Sequence, residues 1–156
     1  MLYDFELAGR RVRLWQRTGE SYEHVLMKAL GYAMFVGEFP ALEIERRVGL
    51  RYKPDLVAHG DGSGFALPFA FWGECGQTAV RKTAWLLKHA GVARLVLFKI
   101  IGYPAALVSE LRAAIDARYR TPGRLVVVNF APDIAMFTRG RRIAHVPGDW
   151  YTRTVV

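Results

Sequence analysis

The stretch from Lys53 to Gly91 constrains this chain more than any other. It reads Lys53-Pro54-Asp55-Leu56, a reversal at His59-Gly60-Asp61-Gly62-Ser63-Gly64, an apolar and aromatic run from Phe65 to Cys75, and a helical pattern from Thr78 to Ala90 closed by Gly91. The reversal residues tolerate positive φ, so they favour a hairpin between a short strand, Asp55 to Ala58, and a central strand ending at Cys75. Pro68 has no amide to give to a ladder and predicts a bulge or an irregular start to the second strand. Side chains alternate faces along a strand, which groups Glu74 with Trp72 and Gly76 and turns Cys75 the other way. Paired as a hairpin, the two strands bring Asp55 and Glu74 to one sheet edge. Two hard oxygen donors in that arrangement suit Mg²⁺ or Mn²⁺, with waters completing the shell.

The helix behind the hairpin is delimited by Thr78 as its expected cap and by Gly91 after Lys88-His89-Ala90, an αL stop with basic residues in the last turn. Arg81 and Lys82 sit in its first turns, where the macrodipole disfavours cations by roughly 0.3–1 kcal/mol. An anion nearby reverses that sign.

In front of this unit, Leu2 to Leu7 and Arg11 to Arg17 read as two strands turning at Ala8-Gly9-Arg10, with Val12 and Leu14 on one face and Arg11, Arg13, Trp15 and Arg17 on the other, solvated face. Ser21 then caps a helix whose apolar stripe is Tyr22, Val25, Leu26, Ala29, Leu30, Ala33 and Met34, stopped by Gly37 and Pro40. Glu23 lies in its first turn, where a surface acid stabilises the helix dipole. His24 is expected on the polar face. Ala41 to Arg46 alternates Leu42 and Ile44 with Glu43 and Glu45, a half-exposed strand with the two acids in solvent. Arg46, Arg47, Arg51 and Lys53 make the approach to Asp55 basic, a funnel for a phosphodiester. Behind the central helix, Ala93 to Ile101 is expected as a parallel strand, and Pro104 as the N1 residue of a third helix carrying Leu107, Val108, Leu111, Ile115 and Tyr119. Leu125 to Phe130 is a further buried strand. Ile134 to Thr138 and Arg142 to Val146 read as a hairpin, and Trp150 to Val156 as a pairing or fraying tail.

The order of Glu23, Pro54-Asp55, Glu74-Cys75-Gly76 and Arg81-Lys82 resembles the PD-(D/E)XK nuclease-like superfamily, and most of all its YaeQ-like branch. The likeness covers about residues 21 to 100 and rests on order and spacing. It implies an α/β mixed sheet with a restriction-endonuclease-like αβββαβ core, flanked here by N-terminal strands and by a C-terminal helix and strands. It further implies that Asp55 and Glu74, with Glu23 as a third acid, hold one Mg²⁺ or Mn²⁺, the Cys75 carbonyl being an extra ligand. Gln77 would orient water or a phosphate oxygen, or simply bond a free helix amide. The signature wants a lysine two residues after the second acid, and Gly76 stands there. Lys82, or failing that Arg81, is the expected substitute from the helix. Without a metal role, Asp55 reads as a turn acid and Glu74 as the partner of Arg81 in a partly buried ion pair.

Composition sets the remaining bounds. At 156 residues and 52% hydrophobic content, one domain spanning 1–156 with a proper core is expected. A net charge of +8 favours a polyanionic partner, and 13% aromatic content supplies rings on which bases stack. Cys75 is the single cysteine; it excludes an internal disulfide and a thiolate zinc site, and it fits a reducing cytoplasm. His59, His89 and His145 have no ligand spacing. The acidic start, Met1 to Glu6, does not read as a secretory signal. Arg94, Lys99 and Pro104 interrupt the most apolar later stretch, so no membrane span is expected. Two functions of different class follow: a metal-dependent nuclease acting on DNA or RNA, and a catalytically inactive protein of the same fold that binds nucleic acid or a transcription or repair partner.

Overall fold

The structure, a computed structural model, describes residues 1–64 and 66–156; Phe65, the expected first residue of the central strand, lies outside the described residues. Its frame is a six-stranded sheet formed by β3 (Glu43–Ile44), β4 (Leu56–His59), β5 (Phe69–Cys75), β6 (Leu95–Lys99), β7 (Leu125–Phe130) and β9 (Tyr151–Val155), in the order β3-β4-β5-β6-β7-β9. β4 and β5 pair antiparallel as expected from the glycine-rich reversal, β5, β6 and β7 run parallel, and the tail strand β9 returns antiparallel to β7. The central strands are buried on both faces, hence their near-continuous apolar sequence.

Alternation sorts the core into two layers. Leu56, Phe71, Val96, Phe98, Val126 and Val128 face α1 (Tyr22–Phe35). Val57, Trp72, Leu95, Leu97 and Val127 face α2 (Val80–His89) and α3 (Pro104–Ala114), through Leu86, Leu87, Val108 and Leu111. A second sheet of β1 (Leu2–Leu7), β2 (Arg10–Trp15) and β8 (Arg142–Ile143), in the order β2-β1-β8, closes over the far side of α1 with Phe5, Leu7 and Leu14. Helix α1 is therefore enclosed by two sheets. Every residue from Val25 to Ala33 is buried, Lys28 among them.

Two glycines set how closely α1 approaches the large sheet. A Cβ on Gly31 would fall 2.7 Å from Leu56 Cδ1 and 2.9 Å from Phe98 Cζ, and one on Gly73 would fall 3.0 Å from both Leu56 and Phe98. The same two side chains fill the space that a larger residue would need.

Several sequence expectations fail locally. The strand predicted over Ala41 to Arg46 shrinks to Glu43–Ile44, because the chain turns at Glu45 with φ 54°. The predicted hairpin between Ile134 and Val146 does not form: Ile134–Phe137 is a short helix, α4, and Arg142–Ile143 joins β1 in parallel. An apolar run of four or five residues suits either state, and tertiary contact decides. The third helix stops at Ala114, and Ala117–Tyr119 forms a separate 3-10 turn. Ala79, not Thr78, is the N-cap residue of α2, and no side chain caps that helix. Among the described residues, no helix is long and apolar enough to cross a membrane.

Candidate functional site

Asp55 sits one residue ahead of β4, at the end of the sheet where α1 and α2 begin. Its amide donates to the Gly73 carbonyl at 3.1 Å, and its carboxylate Oδ2 accepts the Cys75 amide at 2.7 Å. The side chain thus continues the β4–β5 ladder one step past the strand. Its other oxygen, Oδ1, lies 3.3 Å from His24 Nε2. Burial pushes the Asp55 carboxyl up, but the His24 and Cys75 hydrogen bonds outweigh it and hold the group below the ordinary aspartate range.

Because Leu56 pairs with Gly73, Glu74 is the next position opposite Asp55. Glu74 is 3% exposed, and both of its oxygens are engaged. Trp72 Nε1 donates to Oε1 at 2.8 Å and Lys82 Nζ to Oε2 at 2.6 Å. Burial pushes this carboxyl up, and the Lys82 and Trp72 bonds pull it back only in part, so it stays above the ordinary glutamate range. The ion pair expected with Arg81 is made by Lys82, one residue on. Lys82 Nζ also lies 5.1 Å over the Tyr52 ring.

A second charged cluster adjoins Asp55. Lys28, with no exposed surface, donates to Glu20 Oε1 at 2.6 Å and to Glu45 Oε1 at 3.2 Å. His24 Nε2 lies 3.5 Å from Glu20 Oε1 and so stands between Glu20 and Asp55. Alternation predicts Glu45 in solvent and helix phase predicts His24 on a polar face, and neither predicts a role for Glu20 or Lys28; the structure brings all four together. A lysine at position 28, between Met27 and Ala29 in a run with no other charge from Val25 to Phe35, was the signal available.

The other predicted residues are spread around this end. Gln77 and Arg81 are exposed at the start of α2, and Glu23 is exposed at the start of α1. Glu23 lines a cleft that Asp55 does not, together with Gly76, Gln77 and Lys99. Lys53 lines another with Asp55, Glu20 and His24. Arg51 lies 5.3 Å over Tyr52, Arg46 is 3.5 Å from Glu43, and Arg47 is exposed. The Cys75 amide, rather than its carbonyl, meets Asp55. The thiol is buried on the α1 face, where desolvation pushes it well above its ordinary value. Among the described residues, no group of three or more His, Cys, Asp or Glu side chains is gathered as a metal site.

Lys99 was also missed as a site residue. It ends the otherwise aliphatic and aromatic strand β6, is 5% exposed, and donates its ammonium to the Gly76 carbonyl. Burial pulls it below the ordinary lysine range. Gly76 itself has φ +75°, and a Cβ there would fall 3.0 Å from His24 Nδ1. The positive φ and the nearby His24 ring both disfavour a lysine at position 76.

No protein-family model matches the sequence. No curated protein sequence matches it either. Solved structures do match. The crystal structure of the YaeQ protein from Xanthomonas axonopodis pv. citri superposes with a TM-score of 0.61 at 14% identity, covering 99% of this chain and 93% of that one. The YaeQ protein from Pseudomonas syringae gives 0.60 at 14% identity, over 97% and 91%. The chain has the YaeQ-like fold from end to end.

Proposed function

We propose that this protein binds the phosphodiester backbone of DNA or RNA at the Asp55 end of the large sheet and hydrolyses it with a divalent metal ion, on a restriction-endonuclease-like αβββαβ core of the PD-(D/E)XK kind. The observation that carries this reading is the register, which makes Asp55 and Glu74 opposed positions one step beyond the Leu56–Gly73 pair. The element order α1-β3-β4-β5-α2-β6 supports the same core.

The donors present fit a hard cation. Asp55 is held below the ordinary aspartate range, and Glu74 presents a second carboxylate that only Lys82 and Trp72 engage among the described residues. The Lys82 side chain is 22% exposed, and it is long enough to swing aside. Asp55 and Glu74 would hold Mg²⁺ or Mn²⁺, which when bound polarises a phosphoryl oxygen and lowers the pKa of a water. The chain's own residues supply the rest. Before an ion arrives, His24 and the Cys75 amide position the Asp55 carboxylate. Lys82 offers a mobile cation to the charge growing on phosphorus, and Gln77 an amide to a water or phosphate oxygen. Arg46, Arg47, Arg51, Lys53 and Arg81 neutralise the backbone on either side.

A second reading, a non-catalytic protein that keeps the fold and binds nucleic acid or a transcription or repair partner, is favoured by one observation. Both Glu74 oxygens already have protein donors, and a satisfied buried ion pair is also a purely structural device.

Calorimetric titration of Mn²⁺ into wild type, Asp55→Ala and Glu74→Gln, with circular dichroism to verify folding, separates the two. Binding in wild type alone, accompanied by Mn²⁺-dependent cleavage of single-stranded DNA, duplex DNA or RNA, supports hydrolysis. Nucleic-acid binding without Mn²⁺ binding supports the second reading. Absence of both removes hydrolysis and the nucleic-acid form of the second reading.

A further inference from the structure

The parallel strands β5, β6 and β7 end in a cleft of about 930 Å³ that neither Asp55 nor Glu74 lines. Crevices outside the carboxyl ends of parallel strands are where α/β sheets take small ligands, and this volume lies in the usual range for them. Two features of its wall remain incomplete without a ligand. Lys99 is 5% exposed, makes no ion pair among the described residues, and spends its ammonium on a single backbone carbonyl, that of Gly76. A buried ammonium without a counter-charge is costly to maintain. The Thr78 hydroxyl is buried and has no hydrogen-bond partner among the described residues. Both residues line the cleft, as does Ala79, behind which α2 opens without any side-chain cap. Lys99, Thr78 and the positive end of α2 therefore line one cleft, a combination that suits an anionic group.

The rest of the lining restricts what carries that group. Met27, Ile100 and Leu107 are apolar, and Glu23 contributes a carboxylate. That carboxylate disfavours a polyanion filling the cleft and accepts hydrogen bonds from hydroxyls. We infer that the cleft binds one phosphoryl group on a hydroxylated, partly apolar body of mononucleotide size, with Lys99, Thr78 and the start of α2 on the phosphoryl oxygens and Glu23 on the hydroxyls. The ligand is either a free nucleoside monophosphate or the phosphorylated end of a nucleic acid. Gln77 lines this cleft as well, but none of the residues assigned to the phosphoryl group or the hydroxyls belongs to the metal-dependent reading proposed above.

The test is calorimetry in EDTA with adenosine 5′-monophosphate, adenosine, and a dinucleotide with or without a 5′-phosphate. The monophosphate is expected to bind at least about tenfold more tightly than adenosine, the ratio of one charge-assisted contact. Lys99→Met should lose that factor while Asp55→Ala keeps it. Ile101→Glu, at an exposed position on the same wall, should weaken binding without touching the core, so the test survives if Lys99→Met does not fold. Tighter binding of the phosphorylated dinucleotide assigns a nucleic-acid end, and tighter binding of the monophosphate assigns the free nucleotide. Equal affinity for adenosine and its monophosphate, or no effect of Ile101→Glu, would overturn the assignment.

Discussion

The Lys28 ammonium, without exposed surface, lies 2.6 Å from Glu20 Oε1. This pair, with Glu45 as a third member, ties the loop before α1 and the turn after β3 to the centre of a helix that both sheets cover. Lysine is tolerated there because two carboxylates reach it from the rim, their side chains 13% and 23% exposed.

Lys28→Met should destabilise the protein by about 3 kcal/mol, since it leaves two partly buried acids without their cation. Adding Glu20→Gln and Glu45→Gln should return part of that loss. Urea denaturation of the single and triple variants measures it, and a triple variant no more stable than Lys28→Met would contradict the account.

The acid limb of stability has two opposing contributions. Burial pushes the Glu20 carboxyl up, but the Lys28 and Arg17 bonds win and hold it below its ordinary value, as the His24 and Cys75 bonds do for Asp55. Depressed carboxyls stabilise above their unfolded pKa near 4, and that stability is lost as pH falls through the folded values. Glu74, raised by burial, acts in the opposite sense, since protonation relieves its desolvation. Glu74→Gln should therefore lose more stability between pH 7 and 3 than wild type does. The Lys28 ammonium is pulled down by burial, yet Glu20 and Glu45 leave it raised; its contribution disappears only above about pH 10.4. Denaturation midpoints across pH record both limbs.

Gly31→Ala should destabilise by about 1–3 kcal/mol despite alanine's better helix propensity, because its Cβ meets Leu56 and Phe98. Leu56→Val in the same background should recover part of the loss. Additive effects in a double-mutant cycle would show that the close approach is not the cause.

Cys75 should resist alkylation in the native protein and react once denaturant unfolds it, because the thiol is buried and its ionisation suppressed. Rapid labelling by iodoacetamide without denaturant would contradict its place in the core.

The order of strands and helices through β7 was legible because period, glycine reversals and Pro104 each speak locally. Asp55 opposite Glu74 was legible for the same reason, through alternation and the hairpin. What stayed hidden depends on dihedral angles and enclosure. Glu45 looks exposed by alternation with Ile44, yet its positive φ breaks that alternation and turns it towards Lys28. Lys28 looks like a misfit on an apolar helix until the second sheet is seen to cover its far side. The choice of Lys82 over Arg81 for Glu74 is a matter of helix phase, set by an α2 start at Val80 that Thr78 does not cap.

Asp55 supplies with its side chain an acceptor that a sheet ordinarily takes from backbone, and this couples the site to the opening of the hairpin. Whatever draws the Asp55 carboxylate away from Cys75, whether a proton, a cation or a substitution, frees the Cys75 amide to solvent. Hydrogen exchange at that one amide is thus an intrinsic reporter of occupancy, readable in the unmodified protein before any substrate is known.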